Sequence, residues 1–327
     1  MRRAPVAGLA CAAAVCLALV PACAPKPQPG GVRRLSIAAG LLGGVYSVYG
    51  AAIARVVGAA IPGVELTAET TSGSVDNLKL LRDGKADLAF ALADSLRDAL
   101  DGRAPFEDGP VKAAALAVLY TNHTHVVALE GGGVASLGDL RGKQVSLGAP
   151  GSGTETIATR LLMASGLDPE RDLNRQALGV GPAVDALKDG KLDAFFWSGG
   201  VPTAALLELA ATPGRKLLLV PNAGALGVLR GRYGMLYFPA TIPAAAYPGL
   251  AQDVPVVGVS NVLVVREDLD PELAYQITKA LFEGKQALVA AHPEAEHLTL
   301  PQAADASPAP FHPGAQRYFR ERGAWPR

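Results

Sequence analysis

The chain has 327 residues, half of them hydrophobic, and its 30 lysines and arginines are balanced by 30 aspartates and glutamates. This length supplies one or two lobes with a large core. The lack of net positive charge argues against a nucleic-acid-binding protein, which needs a basic surface. Only 6% of the residues are aromatic, so stacking platforms for single-stranded nucleic acid are not expected either.

The first 22 residues have the pattern of an export signal. Two arginines follow Met1, and an almost entirely apolar run extends from Ala4 to Val20, which is short for a membrane span. The run ends in Val-Pro-Ala-Cys, which resembles a lipobox with Cys23 as the lipidated residue. An ordinary signal peptide cut after Ala22 is the alternative. We predict a lipoprotein signal peptide at residues 1–22 and a Pro- and Gly-rich tether at 23–32.

Two strand–loop–helix patterns follow the tether. A buried strand at 35–39 leads into a glycine-rich loop at 40–50 and a helix from Ala51, and the period-two segment 64–70 predicts a second strand. The turn at 71–74 opens a helix with Val75, Leu78 and Leu81 on one face. This alternation is typical of a parallel sheet with right-handed crossovers.

The same pattern recurs about a hundred residues later. A strand at 144–147 precedes a glycine-rich loop at 148–154 and a helix from Thr156, and the segment 189–196 repeats the segment 83–90. In each repeat a helix closes on a glycine, and a lysine and an aspartate then lead into a buried strand. We predict two α/β lobes of similar build, one at 33–127 plus 258–327 and the other at 128–257. The apolar stretches 126–129 and 256–265 would join them.

The loop at 148–154 fails the tests for three enzyme motifs. A phosphate-binding loop needs lysine where Thr154 stands, and a dinucleotide fingerprint needs glycine at Thr156. A nucleophile elbow centred on Ser152 needs glycine at Pro150. We therefore predict no catalytic residues. An exported hydrolase, assembled from residues far apart in the chain, and a ligand sensor are the alternatives.

Metal and cofactor sites are not predicted. All three cysteines, at 11, 16 and 23, lie in the leader, so the mature domain has no thiolate for a disulfide or a metal. His123 and His125 share one strand face, but no third ligand is evident for zinc.

Helix N-termini are the predicted binding elements. Ser152 and Glu155 have capping-box spacing, and Ser74 with Asn77 is the matching pair in the first lobe. Backbone N–H groups at a helix start bind anionic or polar groups, although capping without a ligand is the alternative. These loops contain no lysine or arginine, so neutral donors would hold a carboxylate there unless Arg230 or Arg232 reaches in. Trp197 would wall the cleft or fill the core.

Several segments, in the right order along nearly the whole mature chain, resemble the TAXI family of solute receptors for TRAP transporters. They are 43–46, 71–77, 140–143, 151–154, 189–194, 242–243 and 311–315. The chain departs from the family at Ser47 and Val48, where Tyr-Pro is usual, and near Val256, where threonine is common; both changes bear on the ligand.

The resemblance implies a type II periplasmic-binding-protein fold, two α/β lobes joined by hinge strands around a ligand cleft. It also implies a receptor for glutamate, glutamine or a small dicarboxylate that delivers its ligand to a TRAP-type permease. The expected location is the periplasm or the outer cell surface, where the protein would be a lipid-anchored monomer without cofactor, metal or nucleic acid. The predicted ligand-binding residues are Tyr46, Ser72, Gly73, Ser74, Asn77, Ser152, Gly153, Thr154, Trp197, Ser198 and Gly199.

Overall fold

The computed structural model describes Met1 and residues 31–325. The predicted signal peptide after Met1, Cys23 and most of the tether lie outside the described residues. Residues from Val32 onward belong to one compact unit. Within the described residues, no helix combines the length and the apolar character that a membrane span requires.

The first half of the sheet is a parallel β-α-β-α-β arrangement, as predicted. Its elements are β1 (Arg33–Ala38), α1 (Val45–Ala60), β2 (Val64–Glu69), α2 (Ser74–Arg82) and β3 (Leu88–Leu92), with α3 (Ala93–Asp101) after them. β1 lies between β2 and β3 and pairs with both in parallel. The period-two pattern of β2 is confirmed, because its residues alternate between partial burial and exposure.

Helix α1 begins earlier than the sequence pattern predicted. The segment 45–50, expected in the loop, forms the first turns of the helix. Val45, Tyr49 and Ile53 recur at helical spacing and are buried, so one apolar face runs through both parts. Gly50 belongs to the same face. A Cβ there would lie 3.0 Å from the Cβ of Ala39, so glycine permits the close packing of helix and sheet.

The second half of the sheet repeats the first. It consists of β5 (Gln144–Ser146), α4 (Gly153–Ala164), β6 (Asn174–Gln176), α5 (Val180–Lys188) and β7 (Ala194–Gly199). The strand order β6-β5-β7 matches the order β2-β1-β3.

The predicted internal repeat is confirmed in its hydrogen bonds. The side chain of Asp87 accepts from the backbone N–H of Ser36 in β1 at 2.9 Å, and Asp193 accepts from Gln144 in β5 at 2.8 Å. Each aspartate therefore ties a helix–turn–strand unit to its neighbouring strand.

Two long antiparallel strands extend through both halves. They are β4 (Ala113–Leu129) and β10 (Val254–Arg266). β4 pairs with β10 up to His123 and with β7 from His123 onward. β10 pairs with β9 (Tyr237–Ile242) up to about Gly258 and with β4 from there onward. The two apolar stretches singled out in the sequence are thus parts of the strands that connect the halves.

The remaining elements complete each half. The second half contains α6 (Ala204–Ala210), β8 (Leu217–Leu219) and α7 (Leu226–Tyr233), and β8 pairs with β4. The chain then returns to the first half, where α8 packs on α1 and α11. These last helices are α8 (Pro271–Glu283), α9 (Lys285–Ala291), α10 (Leu300–Ala303) and α11 (Pro313–Glu321).

Candidate ligand-binding site

A small cavity lies where the two halves of the sheet meet, and four helices begin at its wall. Each of these helices, α1, α2, α4 and α5, follows a parallel strand and its loop. Their N-termini therefore lie at the edge of the sheet where the parallel strands end. Ten of the eleven predicted ligand-binding residues line the cavity: Tyr46, Ser72, Gly73, Ser74, Ser152, Gly153, Thr154, Trp197, Ser198 and Gly199. The space open to the centres of water-sized molecules is about 40 Å³.

The N-terminus of α4 is capped as predicted, with one difference. The Ser152 hydroxyl accepts from the backbone N–H of Glu155 at 3.1 Å. The Glu155 carboxylate, however, accepts from the backbone N–H of Gly151 at 3.0 Å. In a capping box it would accept from the N–H of Ser152, the capping residue itself. The first two N–H groups of the helix, at Gly153 and Thr154, have no partner among the described residues and remain available to a ligand.

The N-terminus of α2 differs from the prediction. Gly73 is the capping residue, with a φ of 126° that favours glycine, and Ser74 is the first helical residue. The Ser74 hydroxyl accepts from the backbone N–H of Leu92 at 3.0 Å. The predicted pairing of Ser74 with Asn77 is therefore wrong.

Asn77 does not line the cavity. Its amide donates to the carbonyls of Ala39 at 2.7 Å and Phe90 at 2.9 Å and accepts from Thr71. The side chain is fully buried and joins the ends of β1 and β3 to α2, so its observed contacts are structural.

The two halves touch at the starts of α2 and α4. The backbone N–H of Asp76 donates to the carbonyl of Gly151 at 3.0 Å. A Cβ at Gly153 would lie 2.6 Å from Leu92 Cδ1 and 2.7 Å from the hydroxyl oxygen of Ser74. Only glycine at position 153 therefore permits this approach without a shift of its neighbours.

The cavity has a polar wall on β4 that sequence reasoning missed. Tyr120 and Asn122 line it, with exposed fractions of 1% and 2%. Four oxygens of the lining are buried and have no hydrogen-bond partner among the residues that the structure describes: the Tyr46 and Tyr120 hydroxyls, the Asn122 Oδ1 and the Ser198 Oγ. Such groups are costly unless something satisfies them, so they mark where a ligand or water would bind.

The aromatic rings of the wall are fixed by their neighbours. Tyr46 stacks on Phe90 at a centroid distance of 4.7 Å, and the Trp197 Nε1 donates to the Thr203 hydroxyl at 2.9 Å. Burial raises the pKa of Tyr46 and of Tyr120 above the ordinary value for tyrosine, which keeps both hydroxyls protonated.

No acid, base or histidine is among the residues that line the cavity. Arg230, one of two arginines considered as an ion-pair partner, donates to the carbonyl of Tyr237 at 2.8 Å, and Arg232 is exposed. Neither arginine lines the cavity. Arg160 on α4 is partly buried, pairs with Asp98 and lies 3.8 Å from Asp94.

The histidine pair on β4 also lies outside the cavity lining. His125 is bonded to the Tyr247 hydroxyl at 3.0 Å. Burial lowers the pKa of His123 to about 4 and that of His125 to about 3, so both rings are neutral near pH 7. Among the described residues, no group of three or more His, Cys, Asp or Glu side chains is placed to hold a metal ion.

A model of the NMT1-like family matches residues 37–323, which is most of the chain. The chain belongs to the NMT1-like family. The fold of the chain is also similar to that of several solved structures.

Three solved structures establish the fold of this NMT1-like protein. The alkanesulfonate-binding protein SsuA from Xanthomonas axonopodis pv. citri, bound to MOPS, is 15% identical with a TM-score of 0.50, covering 90% of this chain and 80% of SsuA. An ancestral arginine-binding protein bound to arginine is 17% identical with a TM-score of 0.51, covering 80% and 98%. A protein from Bordetella bronchiseptica RB50 is 17% identical with a TM-score of 0.52, covering 90% and 89%. The predicted periplasmic-binding-protein fold is confirmed.

Proposed function

We propose that this member of the NMT1-like family is an extracytoplasmic receptor that captures a small polar metabolite in the cavity between its two halves. The observation that carries the proposal is the set of unpaired polar groups buried at that cavity. Tyr120, Asn122 and Ser198 each present an oxygen that has no partner in the described part of the chain, and the free N–H groups at the start of α4 line the same cavity. A ligand that pairs with these groups removes the cost of burying them.

A receptor fits the chemistry of the lining better than an enzyme does. Nucleophilic catalysis needs a nucleophile held by a base. The hydroxyls of Ser74, Ser152 and Thr154 instead accept hydrogen bonds from backbone N–H groups, which supply no base. SsuA and the ancestral arginine-binding protein, which share the fold, were solved with small molecules bound.

The size of the cavity supports a metabolite rather than a polymer. The cavity volume is about 40 Å³, well below the roughly 300–1,000 Å³ of pockets for drug-sized ligands, so the cavity has room only for a small molecule. Glutamate, glutamine and small dicarboxylates, the ligands implied by the resemblance to the TAXI family, are small molecules.

We further propose that ligand binding closes two lobes, formed by residues 33–127 plus 258–327 and by residues 128–257. The hinge would be the strands β4 and β10 near Val126 and Val262. The closed form would gain two sets of contacts. One joins the starts of α2 and α4, and the other is the ion pair of Arg160 with Asp98. Small-angle scattering tests this: the radius of gyration falls on ligand binding, whereas an unchanged profile at saturation refutes closure.

The proposed role is delivery of the ligand to a TRAP-type permease from a lipid-anchored position in the periplasm or on the outer cell surface, as a monomer. Acyl chains on Cys23 would anchor the protein, since each buried methylene contributes about 0.8 kcal/mol. If Cys23→Ala leaves the membrane fraction and loses a lipid mass, the anchor is supported. An unmodified protein that is already fully soluble argues against it.

The coupling to a permease is tested by uptake of labelled ligand into cells. A TRAP-type carrier predicts that uptake collapses with the ion gradient, while an ATP-driven importer predicts that it follows cellular ATP. Unchanged uptake and growth after deletion of the gene would favour a sensor.

The receptor proposal itself is tested by native mass spectrometry of protein purified without denaturation. We expect a stoichiometric small molecule that is released unchanged on unfolding. This molecule should bind more weakly to Tyr120→Phe than to the native chain. Tyr275→Phe, at a half-buried position outside the cavity lining, is the control and should bind it as tightly as the native chain does. Chemical conversion of the bound molecule during incubation would indicate an enzyme and contradict the proposal.

A further inference from the structure

A buried glutamate connects the two halves of the molecule close to the ligand cavity. Glu294 lies in the short helical turn Pro293–His297, which packs against α9 and β4, and only 3% of it is exposed. Its carboxylate accepts from the backbone N–H of Val201 at 2.5 Å. Val201 follows the end of β7 at Gly199, so the bond runs from the last part of the chain, on the first half, to the second half.

The second half covers this carboxyl group. A Cβ at Gly200 would lie 2.6 Å from Glu294 Cγ and 2.8 Å from its Oε1, so the backbone at position 200 lies directly against the side chain. A separation of the halves at this place would take away the Val201 donor and let water reach the carboxyl group. Closure therefore changes the environment of an ionisable group.

The segment 199–203 connects this contact to the wall of the cavity. Its Thr203 hydroxyl accepts from the Nε1 of Trp197, which lines the cavity, at 2.9 Å. The same hydroxyl donates to the carbonyl of Gly200 at 2.8 Å. Because these bonds hold the segment together, a displacement at the carboxyl contact also displaces the ring that lines the cavity.

The carboxylate has no close cation in the described part of the chain. The one basic group within ion-pair distance there is His297, whose Nε2 lies 3.7 Å from Glu294 Oε2. Because 66% of the His297 side chain is exposed, water and salt weaken this pair. Lys285 on α9 instead donates to the backbone carbonyl of Glu296 at 2.9 Å, and the exposed Glu296 adds negative charge to the same turn.

The other titratable groups around the carboxyl group are uncharged near pH 7. His292 accepts from the backbone N–H of Glu294 at 3.2 Å, and burial lowers its pKa. Burial also lowers the pKa of His123 on β4 to about 4. Burial raises the pKa of three tyrosines, and the charge of the glutamate raises it further: Tyr49 on α1, Tyr120 on β4, and Tyr247. None of these groups has a positive charge that would offset an ionised glutamate.

Burial without a close cation disfavours the ionised form of this glutamate. It raises the pKa of Glu294 from 4.5 to about 7, and the hydrogen bond from Val201 opposes the shift only in part. In an open form, water would return the pKa toward 4.5. The closed form then binds the proton more tightly, so its advantage is fully present below pH 4.5 and is lost as the pH rises through about 7.

We propose that ligand binding by this protein is linked to protonation of Glu294. The protonated carboxyl group favours the closed arrangement around a ligand, and its ionisation favours opening and release. The inference rests on the proposed receptor function and adds a regulation of that site: the receptor holds its ligand more tightly at acidic pH and releases it more readily as the pH rises.

Calorimetry with L-glutamate and L-glutamine at pH 5.5 and 8.0 tests the inference, because neither amino acid changes its dominant charge state between these pH values. We expect whichever of them binds to do so at least threefold more tightly at pH 5.5. If opening returns the pKa of Glu294 fully to 4.5, the ratio reaches about 25-fold. A smaller ratio, or tighter binding at pH 8.0, overturns the inference and leaves the receptor function standing.

Glu294→Gln keeps the shape of the side chain and an acceptor for Val201 but cannot ionise. We expect this variant to bind equally well, within twofold, at pH 5.5 and 8.0. Glu296→Gln removes the same charge from an exposed position of the same turn and should retain the pH dependence of the native chain. A native pH dependence in folded Glu294→Gln overturns the inference, and the native chain alone decides if that variant does not fold.

A measurement without any ligand decides the matter if neither amino acid binds. The chain has two tryptophans, so Trp325→Phe leaves Trp197 as the only one, and acrylamide quenching of its fluorescence reports opening of the cavity. We expect quenching to increase from pH 5.5 to pH 8.0, and to stay level when Glu294→Gln is added. Level quenching in both proteins overturns the inference, whereas the absence of any bound small molecule in native mass spectrometry counts against the receptor function, whatever the quenching shows.

Discussion

Replacing Gly153 by alanine adds one methyl group where the two halves of the molecule meet. In the structure this methyl would lie 2.6 Å from Leu92 Cδ1 and 2.7 Å from the Ser74 hydroxyl, while ordinary contacts are 3.4–4 Å. Leu92 Cδ1 is the far end of a flexible side chain, but the serine oxygen is held by the backbone N–H of Leu92. The halves must therefore separate by several tenths of an ångström to admit the methyl group.

The size of the effect follows from the cost of overpacking. An extra methyl in a well-packed site costs about 1–3 kcal/mol. If only the closed form carries this cost, the affinity falls by roughly 5- to 150-fold. In an open form the methyl is exposed, and alanine is favoured over glycine in a helix by roughly 0.5–1 kcal/mol. We expect weaker ligand binding with no loss of stability in the ligand-free protein.

Calorimetry with the ligand released from the native protein, together with thermal unfolding with and without that ligand, measures both quantities. Gly227→Ala is the matched control, because Gly227 lies in the first turn of α7 with nothing within 4 Å of an added Cβ. Wild-type affinity in Gly153→Ala would refute the closure argument. A lower unfolding temperature of the ligand-free variant would show that the halves are already packed together without ligand.

Three other changes separate ligand contacts from structural ones. Tyr120→Phe removes an unpaired buried hydroxyl, so we expect ligand affinity to fall about tenfold while the free energy of unfolding of the ligand-free protein stays equal or rises by about 1 kcal/mol; a loss of stability without a loss of affinity would contradict this. Asn77→Ala breaks two buried amide bonds and should lower the free energy of unfolding by about 2–4 kcal/mol, measured by denaturant titration, and an effect below about 0.5 kcal/mol would show that these bonds contribute little. Burial raises the pKa of Glu294 from 4.5 to about 7, so its contribution to stability is present below pH 4.5 and is lost as the pH rises through about 7. Relative to the native chain, Glu294→Gln should therefore gain stability between these pH values, by about 3 kcal/mol at most, and a difference that does not vary with pH would contradict the assigned burial.

Local patterns in the sequence were sufficient to predict the repeated architecture. The β-α-β periodicity and the two helix–glycine–lysine–aspartate segments encode contacts within one half of the sheet. Examples are the bond from Ser36 to the Asp87 side chain, 51 residues apart, and its counterpart from Gln144 to Asp193, 49 residues apart. The loops at the starts of α2 and α4 were identified because glycines and hydroxyl residues cluster there. Ten of the eleven predicted ligand-binding residues line the cavity, and six of them, Ser72, Gly73, Ser74, Ser152, Gly153 and Thr154, belong to these clusters.

The sequence was less informative where a residue's role depends on distant partners. Asn77 has capping spacing, but the open carbonyls of Ala39 and Phe90 attract its amide, and these become neighbours only when the sheet forms. Tyr120 and Asn122 are hidden in a long apolar strand. Their period-two spacing on one face, with polar groups at the centre of a buried strand, was the signal that could have identified them.

The most direct test of the account is a crystal structure of the protein purified in its native state, without added ligand and without a denaturation step. The account predicts electron density for one small molecule in the cavity, with polar atoms within hydrogen-bond distance of the Gly153 N–H and of Tyr120, Asn122 or Ser198. Density for a bound metabolite at another place, such as the groove lined by Met235, Phe238 and Ser307, with the cavity holding only water, would contradict it.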